Sequence, residues 1–209
     1  MREDADARTV AIELANHAAA HPDNVEGLVK PLLPVLLTNF ASVIWPVFGR
    51  AIVADQAKAW RLQHLLGDSY SFADKKAPAI LNVPEDILFA WCHANPDVGP
   101  AFLAQFIPVL ESQRPQAGGN TLHPIAKRLL DEFGDREDVL KRLVSNMHTF
   151  GWTGSRTTYY ALYEAPLRSL ENHPIGAVRR WAKTMLGHML VEIQAAKTED
   201  DEQQAQWDV

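Results

Sequence analysis

Four pairs, His21-Pro22, Asn95-Pro96, His123-Pro124 and His173-Pro174, interrupt a chain whose apolar residues otherwise recur at three- and four-residue steps. No other feature restricts the fold as much. Proline has no amide hydrogen to give a helix interior, but it fits the first helical turn, where that donor would have no partner. It also pushes the preceding residue out of the helical region and into the cap position. Each pair therefore reads as a stop and restart between helices. The intervening segments are helical in period: Val139, Leu140, Leu143, Val144 and Met147 form one apolar face. Val and Ile do not alternate with polar residues over any useful length, and no Asn-Gly or Asp-Gly turn joins two apolar runs. Strands are not expected.

The expected helices run over 3–20, 25–38 and 40–66, the last kinked at Pro46. Residues 68–82 form an irregular connection. Further helices cover the segments beginning at Pro84, "DVGPAFLAQFIPVLES", "HPIAKRLLDEF", "DREDVLKRLVSNMHTF", "RTTYYALYEAPLRSLEN" and "PIGAVRRWAKTMLGHMLVEIQAAK". This is an all-α chain of about eight to ten helices in antiparallel pairs with short turns. It is expected to form one domain, 1–209, with loop 68–83 as the place where 1–67 and 84–209 would divide. Residues 31–49, "PLLPVLLTNFASVIWPVFG", carry no charge and are as long as a spanning helix. Yet Pro31, Pro34, Pro46 and Asn39 interrupt them, and lipid offers no substitute partners for the freed backbone groups. Two buried helices meeting near Asn39, and no membrane span, are expected.

"APLRSLENHPIGAVRRWAKTMLGHML" resembles a HEAT repeat, the two-helix unit of α-solenoids. In that resemblance Pro166 takes the place of the proline in the first helix and Asn172 that of the polar residue at the turn. Val178-Arg179 matches the hydrophobic-then-basic pair that opens the second helix. Arg179 would then tie neighbouring turns, while Ala182 and Leu186 pack between helices. "FLAQFIPVLES…HPIAKRLLDEFG" resembles the pattern more loosely, with Pro108 in its first helix. The resemblance implies an imperfect right-handed α-solenoid, in which stacked pairs share a core that one pair alone could not close.

Chemistry is sparse. His17 and His21 are four residues apart, as two metal ligands on one helix face would be, but no His-Glu-x-x-His pattern accompanies them. Cys92 and His93 are adjacent, so on a helix they point about 100° apart and do not face each other. "GWTGS" misplaces the serine of a nucleophile elbow, and no phosphate-cradling glycine motif is present. No catalytic residue, cofactor or metal is expected. The single cysteine fits a reducing compartment, and "MREDADARTV" has no basic-then-apolar leader, so a cytoplasmic and bacterial setting is expected.

A protein partner is the expectation instead. Phe150, Trp152, Tyr159, Tyr160 and Tyr163 crowd beside Arg156, and Tyr, Trp and Arg dominate binding hot spots. Packing at a joint between helices is the plainer reading of the same residues. Of Arg179 and Arg180, one serves internal pairing and the other is free to meet a partner. Trp152, Arg156, Tyr159, Tyr160, Tyr163 and Arg180 are therefore the candidate protein-binding residues of a noncatalytic sensor or scaffold module. Two alternatives remain. HEAT-like folds include DNA-alkylation-repair glycosylases, and Lys127, Arg128, Lys141, Arg142, Arg179 and Arg180 could build a basic groove. The net charge of −6 argues against nucleic acid. That same charge would suit an immunity or antitoxin protein facing a basic toxin.

Overall fold

The computed structural model describes residues 2–21, 27, 29–67, 77–112, 114, 116, 117, 119–148 and 156–207. Regular structure among these residues is helical, apart from one isolated bridge between Leu110 and Leu122. The chain divides into two compact units, Met1–Phe106 and Ile107–Val209. The first unit runs through Phe106 because residues 79–104 pack with the helices before them.

In the first unit, α1 (Arg2–Ala20) lies on α2 (Leu33–Ala54). Ala11, Ala15 and Ala18 are buried at four- and three-residue steps, so α1 turns a small-residue face inward. Helix α2 buries Leu33, Leu37, Ala41, Ile44, Phe48 and Ile52, one stripe over five turns. Phe40 (φ −128°, ψ 21°) leaves helical geometry and kinks α2, where two helices were expected to meet. Pro46, the expected kink, lies inside the helix beyond it. The segment Lys30–Ala54 is long and apolar enough to cross a membrane by length and composition, an 18-residue window in it reaching a mean hydropathy of 1.7.

The expected helix 40–66 is broken at Asp55, whose backbone is extended. Its Oδ1 accepts the amides of Ala57 (2.8 Å) and Lys58 (3.2 Å), which starts α3 (Gln56–Leu66). These bonds, foremost that from Lys58, hold the Asp55 carboxyl below its ordinary value. Helix α4 (Glu85–Ala94) follows a short turn at Ala79–Asn82 and buries Leu88, Phe89 and Cys92. Asn95 closes it, donating from Nδ2 to the Trp91 carbonyl at 2.9 Å. Helix α5 spans only Gly99–Ala104. The sequence predicts a helix through residue 112, but Pro108 would face the Ala104 carbonyl and its ring forces Ile107 out of the helix. The chain runs on extended instead, and His123 N–H donates to Val109 O at 2.9 Å. Pro108 therefore does not sit in a first repeat helix.

The second unit holds α6 (Pro124–Phe133), α7 (Glu137–His148), α8 (Arg156–Ala161), α9 (Glu164–Ser169) and α10 (Gly176–Trp207). The expected single helix 156–172 splits at Leu162-Tyr163, four residues before Pro166, where a proline ring meets the carbonyl of the preceding turn. There Leu162 and Tyr163 donate to Tyr159 O and Tyr160 O in the tighter three-residue pattern. Leu129, Leu130, Leu143, Met147, Leu167, Val178 and Ala182 form the core. A Cβ at Gly134 would overlap Leu130 O and Val178 Cγ2, so the end of α6 meets α10 with no room for a side chain.

Candidate functional site

His123-Pro-Ile and His173-Pro-Ile share one hydrogen bond but not one backbone: Pro124 opens α6, whereas Pro174 and Ile175 form a bend ahead of Gly176, so the expected place of Pro174 at a first helical position is not met. His123 Nδ1 accepts the Ile125 amide at 3.2 Å, and His173 Nδ1 accepts the Ile175 amide at 3.2 Å. The His123 imidazole caps α6, while that of His173 closes the bend that leads into α10. His173 is buried, and its Nε2 lies 2.9 Å from Asp131 Oδ1 on α6. With Nδ1 accepting, the proton belongs on Nε2, which donates to the carboxylate. Burial pushes the Asp131 carboxyl up, but hydrogen bonds from Lys127 and His173 outweigh it and hold it below its ordinary value. Arg179 Nη1 donates to His173 O (2.6 Å) and Pro174 O (2.9 Å), fastening the turn between α9 and α10.

Of the aromatic cluster, Phe150 and Trp152 lie outside the described residues. Tyr163 is fully buried, so it packs the core and offers a partner nothing. Tyr159 O–H donates to Met147 O at 2.7 Å and sits 3.2 Å from Tyr163 Oη. Burial pushes both the Tyr159 and Tyr160 hydroxyls up, and Glu192 on α10 adds to the rise at Tyr160. Arg156 is ion-paired with Glu199 of α10, and beside it Thr157 lies 3.4 Å from Asp200 Oδ2. These residues clamp α8 between the end of α7 and α10. Arg180 is exposed and has no hydrogen bond or ion pair among the described residues.

The basic residues considered for a phosphate-binding groove are mostly answered within their own helices. Lys127 pairs with Asp131 (2.7 Å), Arg128 with Glu132 (2.6 Å) and Lys141 with Glu137 (2.7 Å), each one turn apart. His17 and His21 bring their rings to 5.3 Å, and no group of three His, Cys, Asp or Glu among the described residues is placed to hold a metal ion. Cys92 is buried while His93 is exposed.

The first unit carries two features that the sequence reading passed over. Trp60 is 60% exposed, its ring 4.4 Å from His64 one turn on. Lys30 Nζ donates to His64 O at 3.0 Å, which ties the start of α2, with exposed Leu32 and Val35, to the end of α3. Trp60 stands off the Leu62, Leu65, Leu66 face of α3, and that offset is a signal present in the sequence. The second feature is a groove of about 790 Å³ between α2 and α4. It joins segments some forty residues apart, so no local pattern announces it.

No family model, no curated protein and no solved structure matches this chain.

Proposed function

We propose that the chain is a noncatalytic helical-repeat module that binds another protein, an imperfect right-handed solenoid of antiparallel HEAT-like pairs serving as a sensor or scaffold in a bacterial cytoplasm. The observation that carries the reading is Trp60, 60% exposed on α3 with apolar Leu32 and Val35 at the adjoining end of α2. An exposed indole offers a partner a large apolar area to bury, and Trp is among the residues most enriched at binding hot spots. The repeat character is supported by the α9–α10 turn, where Arg179 caps two carbonyls and Val178 and Ala182 are buried. Internal pairing of Lys127, Arg128 and Lys141 supports a protein partner over nucleic acid, since paired cations release fewer counterions from phosphates.

The test is capture from lysate by the tagged full chain, with and without nuclease, beside the Trp60→Ala variant. A stoichiometric protein that survives nuclease and is lost from the variant is expected. Recovery that depends on nucleic acid, or is indifferent to Trp60, refutes the reading.

A further inference from the structure

The groove between α2 and α4 lies apart from the Trp60 face. Its walls are Trp45, Pro46, Val53, Ile87, Ala90 and Trp91, and its volume of about 790 Å³ falls within the range of roughly 300–1,000 Å³ typical of small-molecule sites. The wall residues of α2 recur at three- and four-residue steps, so one continuous helix face forms that side. Gly49 lets the two helices close on each other: a Cβ there would lie 2.5 Å from Trp91 Nε1. The Trp45 and Trp91 rings meet edge-on at 5.3 Å, and neither buried indole N–H has a hydrogen-bond partner. The lining is thus apolar and aromatic and is held in shape by packing.

Charge at the rim decides the ligand. Arg50 lines the groove one position past Gly49, is exposed, and makes no hydrogen bond or ion pair among the described residues. Asp86, the other charged lining residue, already has an interaction within the chain. An apolar trough with one unanswered guanidinium is complementary to a molecule with an apolar body and a single anionic head. We infer that this groove binds a free amphipathic monoanion, an aliphatic or aromatic carboxylate, with its body along Pro46, Val53 and Ala90 above the buried indoles and its head at Arg50. The inference does not depend on the protein-binding reading above.

The experiment titrates anilinonaphthalene sulfonate into the full chain, follows its fluorescence, and displaces it with decanoate, decanol or decyltrimethylammonium. Saturable one-to-one binding is expected, with decanoate displacing better than decanol and the cation displacing least. Arg50→Gln weakens decanoate roughly tenfold, the loss of one charge-assisted hydrogen bond, and leaves decanol unchanged. Ala90→Phe fills the groove from an exposed position and abolishes displaceable binding, whereas Trp60→Ala changes nothing. Displacement by the cation as good as by decanoate, or indifference to Ala90→Phe, overturns the inference. So does a dimer seen in sedimentation that Ala90→Phe dissolves and decanoate does not, which gives the groove to a second copy. Retention on phosphatidylglycerol vesicles without binding of monomeric decanoate overturns it in favour of a lipid surface.

Discussion

His173 offers the sharpest test of how this chain is held together, because its imidazole does two separable jobs. Replacing it with alanine removes the acceptor for the Ile175 amide, a loss of about 1 kcal/mol in typical cases. It also removes a hydrogen bond to a carboxylate, ordinarily about 1.5–3 kcal/mol. Asp131 keeps 40% of its side-chain surface in water, so solvent recovers part of that and about 1 kcal/mol is the better figure. The space left in a site only 7% exposed adds a further cavity cost. His173→Ala is therefore expected to lose about 2–3 kcal/mol. His173→Asn, whose amide oxygen can cap Ile175 but cannot reach Asp131, should recover about 1 kcal/mol of that. His123→Ala, which removes only the cap bond to the Ile125 amide, should lose about 1 kcal/mol.

The assay is denaturant unfolding of the three variants, with hydrogen exchange of peptides covering residues 170–186 as the local readout. Because the chain has two compact units, the local readout keeps an effect in one from being averaged with the other. A loss at His173 no larger than at His123, or no recovery with asparagine, would refute the two-job account.

Gly49→Ala should lose about 1–3 kcal/mol by forcing the Trp91 indole aside, with a matching change in near-ultraviolet circular dichroism. Gly134→Ala should lose more, since its new methyl meets the backbone carbonyl of Leu130, which cannot step away as a side chain can. Tyr159→Phe should cost about 1 kcal/mol through the bond to Met147 O, and calorimetry would measure it. Asp55, Asp131 and Asp138 all have carboxyls held below the ordinary value of 3.8, so each stabilises the fold fully above that value and loses its contribution as pH falls through the lowered one. An acid titration followed by far-ultraviolet circular dichroism should show stability falling below about pH 4, and a flat response there would contradict the assigned hydrogen bonds.

The helices were legible because their signals are local: periodic apolar residues say where a face lies, and a proline says where a donor is missing. The kink at Phe40 falls beside the expected meeting point near Asn39 for that reason. The errors have the same origin. Pro108 and Pro166 act on the carbonyls four residues earlier, at Ala104 and Leu162, and the helices end there, although apolar residues continue in register. Asp55 was overlooked because one capping residue inside a long helical run changes the period very little, yet its carboxylate outcompetes propagation. Arg179, expected to tie neighbouring turns, bonds the carbonyls of its own turn, His173 O and Pro174 O, within six residues of it.

What local reading could not reach is whatever two distant segments make together. The aromatic stretch at 156–163 looked like a contact surface because its composition is that of one. Whether such residues face out or in depends on the helix laid over them, and α10 buries Tyr163 while Glu199 takes the charge of Arg156. The same holds for the His-Pro pairs. Punctuation explains the proline and the cap, but Asn, Asp or Ser would cap as well. Histidine at 173 gains its second role only when α6 brings Asp131 to its far nitrogen, forty-two residues away in sequence. A motif can therefore be structural and still be specified by a contact that no window of sequence contains, which is why the distinction between site and punctuation rests on the fold.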